Sequence, residues 1–267
     1  IKKAVTKRML ESLKALKKES FDKYKDFWNE YGLVLKEGPA EDRENKDTIA
    51  SLLLFASTYA NSKDCDQTLD DYLERMGDDQ DKIYFCVADT YEAAANSPHI
   101  EGLKSKGIEV LLLTDRIDEW VMAGLMEYQG KELINVAKED IVDEETKKVS
   151  EGDQEIISKI QKHLGDKVSD VIISKRLTDS ASCIVLPKHE PGAQLRKILE
   201  ASGQTLGSSN PIFEINMKHK LVKKLKDMKG KQFNSFVDFL YDYAVIAEGG
   251  SPQDPSKYLR QLDKYLS

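Results

Sequence analysis

One stretch, residues 107–120 (GIEVLLLTDRIDEW), constrains the fold more than any other. Ile108, Val110, Leu111, Leu112 and Leu113 form a near-continuous apolar run. Such a run suits a strand covered on both faces, as in a parallel sheet. A parallel strand needs a neighbour reached by a crossover. Residues 82–89 (KIYFCVAD) read as that neighbour, and residues 90–107 are long enough to cross over with helical character, so the two strands make a βαβ unit. After the second strand, Thr114 or Asp115 can cap a helix whose first turn carries Asp118 and Glu119, acids that suit the positive end of a helix dipole. Trp120 follows one turn in.

Before this unit, residues 1–60 carry helical periodicity. Val5, Met9, Leu13 and Leu16 form one run, and Phe21, Tyr24, Phe27, Trp28, Tyr31, Leu33 and Leu35 the next. Gly38 and Pro39 break the pattern, a third helix carries Ile49, Leu52 and Leu53, and residues 55–59 turn β-compatible. Three stacked helices are the simplest solution. Thr68 stands three residues before Asp71, close to a capping box, with Leu69, Tyr72, Leu73 and Met76 on one face. Residues 121–128 read as a short helix and 131–136 as an edge strand.

The composition then shifts. Residues 138–153 hold Glu139, Asp140, Asp143, Glu144, Glu145, Glu151 and Asp153 with few apolar side chains, as a solvated linker does. This places one domain at 1–138, a linker at 139–153 and a second domain at 154–267. The second domain opens with a helix over 155–164 closed by Gly165. Strands at 168–175 and 182–186, joined by a polar turn at 178–180, read as a hairpin. A helix over 194–201, a strand over 212–217, a helix over 221–228 and two helices over 231–248 and 255–266 complete it. The fold class is α/β followed by α+β.

The totals exclude several roles. With a net charge of -7 and 33% charged residues the chain is acidic, and its lysines near both ends alternate with apolar positions as on solvated helix faces, which argues against nucleic acid. No apolar run reaches the ~18 residues of a membrane span. Cys65, Cys86 and Cys183 show no metal or redox spacing, and fit reduced thiols in the cytoplasm. The chain begins at Ile1, which reads as a piece of a longer protein.

Chemistry-bearing motifs are scarce. GLMEYQGK (124–131) resembles a phosphate loop but has one residue too many between its glycines, and Glu132 stands where Ser or Thr would bind magnesium. His99, His163, His189 and His219 lack ligand spacing. Asp115, Asp118 and Glu119 form either an acid/base cluster at the end of a parallel strand or, more simply, helix-capping acids. Trp120 with Met122 and Leu125 is a patch for a partner or core packing. Leu195, Ile198 and Leu199 have the i, i+3, i+4 spacing of any core-facing helix.

The terminal helices carry more apolar surface than a solvated chain end needs. Phe233, Phe236, Val237, Phe239, Leu240, Tyr243, Ala244, Ile246 and Ala247 cover more than one face of the first, and Tyr258, Leu259, Leu262, Tyr265 and Leu266 stripe the second. Either both faces are buried within one subunit, or the helix pair meets its copy in a four-helix bundle; the second reading is preferred.

Several stretches together resemble the heat-shock protein 90 chaperone family in its bacterial high-temperature-protein-G form: FWNEYGLVLKEGPAED (27–42), LLLFAST (52–58), QDKIYFCVAD (80–89), SPHIEGLKSKGIEVLLLTDRIDEW (97–120), SKRLTDSASCIV (174–185) and FEINMKH (213–219). The resemblance covers nearly the whole chain and implies the latter part of the family's middle domain, with a three-helix segment and a small α-β-α sandwich, then its C-terminal dimerisation domain. It implies homodimers built on Phe233, Phe236, Val237, Leu240, Tyr243, Ala244, Tyr258, Leu259, Leu262 and Leu266. It also implies non-native client proteins, and other bacterial chaperones, as partners. Trp120 matches a client-contacting tryptophan, and Leu195, Ile198 and Leu199 match an exposed amphipathic helix, which Pro191 precedes in place of a bulky residue. The resemblance implies ATP and magnesium in the parent protein, a slow ATPase, and no cofactor or ATPase activity in this piece, since it includes neither the family's nucleotide-binding domain nor the early middle-domain segment that supplies its catalytic arginine. A small α/β enzyme using Asp115, Asp118 or Glu119, and a purely structural dimerisation module, are the rival readings.

Overall fold

The computed structural model describes residues 2–138, 150–188, 190–203 and 210–266. It is a mixed α and β structure with two sheets. Its contacts divide into two compact units that exchange segments: 1–94, 108–135 and 192–202 form the first, and 95–107, 136–191 and 203–267 the second. Nothing in the sequence signals that residues 95–107, or 192–202, cluster away from their chain neighbours.

In the first unit, α1 (Lys2–Glu19) packs on α2 (Phe21–Glu41), which is followed by α3 (Lys46–Ala50). Tyr24, Trp28, Gly32 and Lys36 recur every fourth residue, which places them on one face of α2, and that face is buried. The helix does not break at Gly38 and Pro39 but runs on to Glu41. A proline in the last turn costs one backbone hydrogen bond, and the turn is held by packing on α3 and by the Asp42 N–H, which donates to the Gly38 carbonyl at 2.8 Å. The strands β1 (Phe55–Ser57) and β2 (Ser62–Gln67), helix α4 (Leu69–Arg75) and strand β3 (Lys82–Val87) follow. Thr68 closes the expected capping box, its hydroxyl accepting from Asp71 N at 3.0 Å while the Asp71 carboxylate accepts from Thr68 N at 2.9 Å.

Helices α5 (Tyr91–Ala95) and α6 (Glu101–Ser105) lie in the connection to β4 (Val110–Leu113), α6 clustering with the second unit, and β3 and β4 pair in parallel as the sequence requires. Every residue of β4 is buried: Leu111 and Leu113 join the core built by α1, α2 and α4, and Val110 and Leu112, on the opposite face by strand alternation, are covered too. Helix α7 (Asp118–Leu125), strand β5 (Glu127–Tyr128) and strand β6 (Lys131–Asn135) complete the unit. The sheet order is β2-β1-β4-β3-β6-β5. Two expectations are corrected here. Residues 131–136 are not an edge strand, because β6 pairs with both β3 and the two-residue β5. Residues 126–128 are not helical, because α7 stops at Leu125 and the phosphate-loop look-alike is a hairpin whose turn uses Gly130 at φ +76°.

The second unit contains α8 (Glu151–Leu164), β7 (Asp170–Ile173), β8 (Ser182–Val185), β9 (Ile212–Ile215), α10 (Lys220–Lys223), α11 (Gly230–Ala247) and α12 (Pro255–Leu266); the intervening helix α9 (Ala193–Ala201) clusters with the first unit. Helix α8 begins earlier than expected, with Ser150 accepting the Asp153 N–H at 3.2 Å, so Glu151 and Asp153 are first-turn acids rather than linker. The rest of the proposed linker, 139–149, lies outside the described residues.

The hairpin expected between β7 and β8 does not form: the sheet order is β7-β9-β8, with β9 parallel to β7 and antiparallel to β8. Phe213, Glu214 and Ile215 are buried, as a strand hydrogen-bonded on both edges and covered on both faces demands. The 174–181 connection is held elsewhere. The Glu101 carboxylate accepts the backbone N–H groups of Thr178 at 2.7 Å, Asp179 at 2.8 Å and Ser180 at 3.1 Å. Arg176, 4% exposed, pairs with Glu214, 1% exposed, at 3.1 Å. Helices α8 and α11 cover this sheet, and α12 packs on α11.

Candidate functional site

The acids that the sequence gathers after β4 go to three different tasks. Lys36 of α2 donates to Asp115 Oδ2 at 2.6 Å and to Asp118 Oδ1 at 2.7 Å. Lys36 is 3% exposed and Asp118 fully buried, with the ammonium 5.9 Å from the ring centres of Trp28 and Phe55. Burial opposes the Lys36 charge, but Asp118 and Asp115 outweigh it and hold the ammonium above its usual range. Burial pushes the Asp118 carboxyl up, against the pull of Lys36. The other Asp118 oxygen accepts the Asp115 N–H at 2.9 Å. So the turn into α7 is closed by Asp118 reaching back, not by a Thr114 or Asp115 cap, and the residue at the cap position, Ile117, makes no side-chain cap. Gly124 lets α7 approach α2, since a β-carbon there would stand 2.9 Å from that of Ala40.

Glu119, 4% exposed, turns away from this ion pair. Its carboxylate accepts the backbone N–H groups of Gly192 at 2.5 Å and Leu195 at 3.1 Å, at the start of α9. It therefore caps a helix, but α9 rather than its own. Asp118 is sequestered by an ion pair and Glu119 by two amides, which leaves this pair of acids no open face for acid–base work. An open depression of about 450 Å³ in the same unit is lined by Lys14, Lys17, Asp47, Thr48, Ser51, Asp70, Tyr128 and Gln129, and includes none of these acids.

Trp120 is 36% exposed, whereas Val121, Met122 and Leu125 on the inner face of α7 are buried. The patch imagined from Trp120, Met122 and Leu125 thus divides: two are core, and the tryptophan is at the surface. On α9, Ile198 is 40% exposed and Leu195 and Leu199 are half-buried. Helix α9 starts two residues after Pro191, and it packs on α7. Trp120, Leu195, Ile198 and Leu199 belong to one unit, in which Glu119 contacts the start of α9, although 75 to 79 residues separate the tryptophan from the other three in sequence.

The terminal helices resolve differently. Phe233, Phe236, Val237, Leu240 and Ala244 are buried in the second unit's own core, where they belong to one apolar cluster with residues of α8 and the β7-β9-β8 sheet. Tyr243, Tyr258 and Leu262 are half-buried against that core, while Leu259 is 58% and Ile246 41% exposed. The Leu266 side chain lies outside the described residues. Leu259 is among the dimer contacts that the resemblance implies, whereas Ile246 is marked only by the apolar pattern of its helix. Sequence reasoning missed Lys36, although the spacing 24-28-32-36 puts a lysine on the buried stripe. Among the described histidines, His163 stands 2.9 Å from Asp238, His99 approaches Glu248 to 2.7 Å without hydrogen-bond geometry, and His219 Nδ1 accepts the Leu221 N–H at 3.2 Å; His189 lies outside the described residues. Among the described residues no cluster of His, Cys, Asp and Glu is arranged to hold a metal, and no helix is long and apolar enough to cross a membrane.

A family model described as Hsp90 protein matches residues 1–267. The chain belongs to the Hsp90 family. It is 45% identical over 276 residues to the chaperone protein HtpG of Colwellia psychrerythraea, a match that covers 100% of this chain and 42% of the relative. The HtpG of Salmonella typhimurium is 43% identical over 275 residues, with 100% of this chain and 44% of the relative covered. That of Shewanella halifaxensis is 44% identical over 276 residues, with 100% and 43% covered. The chain thus spans less than half the length of these Hsp90 relatives.

Proposed function

We propose that this chain is the part of an Hsp90-family chaperone that offers apolar surface to non-native proteins and joins two copies of the parent. The observation that carries the client-binding reading is the exposure of Trp120 and Ile198 within one unit, where α9 is tied to the residue next to Trp120. Apolar side chains held at the surface gain by burial against any unfolded segment, and that attraction is non-directional, so selectivity for sequence would be low. The relatives' name, chaperone protein, supports the same reading. Exposed Ile246 and Leu259 on the terminal helices support the dimer, as side chains that a facing copy would cover. ATP and magnesium, in this reading, are handled by other parts of the whole protein, which works in the cytoplasm during stress and alongside other chaperones.

The test is suppression of aggregation of a thermally unfolding, unrelated protein, followed by light scattering. The intact chain should suppress it, and Trp120→Ala and Ile198→Asp should each weaken suppression while leaving the melting transition of the chain in place. Suppression unchanged in both variants would refute the client surface and leave a structural module. Static light scattering on the intact chain and on Leu259→Asp tests the dimer; a monomer at tens of micromolar for the intact chain would refute it.

A further inference from the structure

The Glu119 contact has the form of a tether. A carboxylate that is almost fully buried is expensive to desolvate unless donors compensate it, and the donors that meet it include the Gly192 and Leu195 amides at the start of α9. Those amides have no partner within the helix, since the first turn of any helix leaves its N–H groups free. The fit is close on the other side as well: a β-carbon on Gly192 would stand 2.7 Å from both carboxylate oxygens. A side chain at position 192 would therefore have to push the carboxylate off its present seat on the amides. Helix α9 spans nine residues, short enough that it is marginal without tertiary support. Its Leu195 and Leu199 are half-buried and Ile198 is exposed, so how much apolar surface α9 presents depends on whether it stays seated.

We propose that Glu119 is a positioning residue that seats α9 on α7, so that the apolar side chains of α9 and Trp120 act as one composite surface rather than two independent patches. The inference rests on the client-binding reading above. It assigns the acid beside the tryptophan a role in building the surface and none in touching the client.

The test uses the full 267-residue chain. Amide hydrogen exchange is measured through residues 190–203 in the chain as it stands, in Glu119→Gln and in Gly192→Ala, alongside aggregation suppression. Loss of one to two charge-assisted hydrogen bonds should speed exchange across α9 roughly ten- to a hundredfold in Glu119→Gln. Gly192→Ala should do the same, although alanine is the better helix former, because its β-carbon displaces the carboxylate. Suppression should fall in both to about the level of Trp120→Ala. Exchange unchanged in both variants overturns the tether. Faster exchange with suppression intact, where Trp120→Ala does weaken it, overturns the composite surface and leaves the client-binding reading standing. Suppression insensitive to Trp120→Ala as well is failure of that reading itself, and overturns the composite surface with it.

Discussion

Replacing Lys36 with methionine should be the most damaging single change in the first unit, and its damage should depend on pH in a defined direction. Methionine keeps the unbranched apolar stem of lysine, one heavy atom shorter, but removes the charge, which leaves Asp118 fully buried with the Asp115 N–H as its described hydrogen-bond donor. Removing one member of a buried ion pair costs about 3–5 kcal/mol, chiefly because the other charge stays desolvated. Asp115 is 41% exposed and contributes little to that figure. Burial already pushes the Asp118 carboxyl up, and Lys36 opposes that push. Without Lys36 the folded-state pKa must rise further above that of an unfolded aspartate. A group whose pKa is raised on folding binds protons in the native state, so stability falls as pH rises through that pKa. Lys36→Met should therefore be destabilised most at pH 7.5 and recover part of the loss toward pH 5, and Lys36→Met with Asp118→Leu should be close to the parent. Urea titration monitored by tryptophan fluorescence measures this, because Trp28 lies beside Lys36. A loss below about 1 kcal/mol, or one independent of pH, would refute the argument that Asp118 is ionised and dependent on Lys36.

Other outcomes follow from the same geometry. Arg176→Met should destabilise the second unit by about 3–5 kcal/mol in urea titration, while Arg176→Met with Glu214→Leu should cost much less, because the double change leaves no buried charge behind. Thr68→Ala should cost about 1 kcal/mol through loss of the α4 capping box, measured in the same way. Cys183 is buried and its thiol is pushed well above the ordinary range by burial and by Glu214, so iodoacetamide should leave it unmodified in the native chain and modify it in urea.

How far the sequence was legible depended on how local the signal was. The β4 run, its parallel pairing with β3 and the α4 capping box were readable because hydrophobic burial and capping act over a few residues. The β7-β9-β8 order was not, because the 174–181 connection is held by Glu101 and Arg176 partners far along the chain rather than by its own turn residues. The same reason hid the tasks of the acids after β4. Their first-turn position pointed to capping of α7, yet Lys36 lies 82 residues from Asp118, and Gly192 lies 73 residues from Glu119. The apolar richness of α11 was correctly seen, but periodicity could not tell burial under the chain's own sheet from burial under a second copy. Among the described residues of α11 and α12, Ile246 and Leu259 are the large apolar side chains with the greatest exposure.

The central claim, that Trp120 and α9 receive non-native chains, is tested most directly by photo-crosslinking. A photoreactive residue is placed at position 120, at position 198, or at the exposed Lys63 on β2, and irradiated with an unfolding protein present. Adducts at 120 and 198 well above those at 63 are the predicted result. Adducts at 63 equal to or greater than those at both other positions would contradict it.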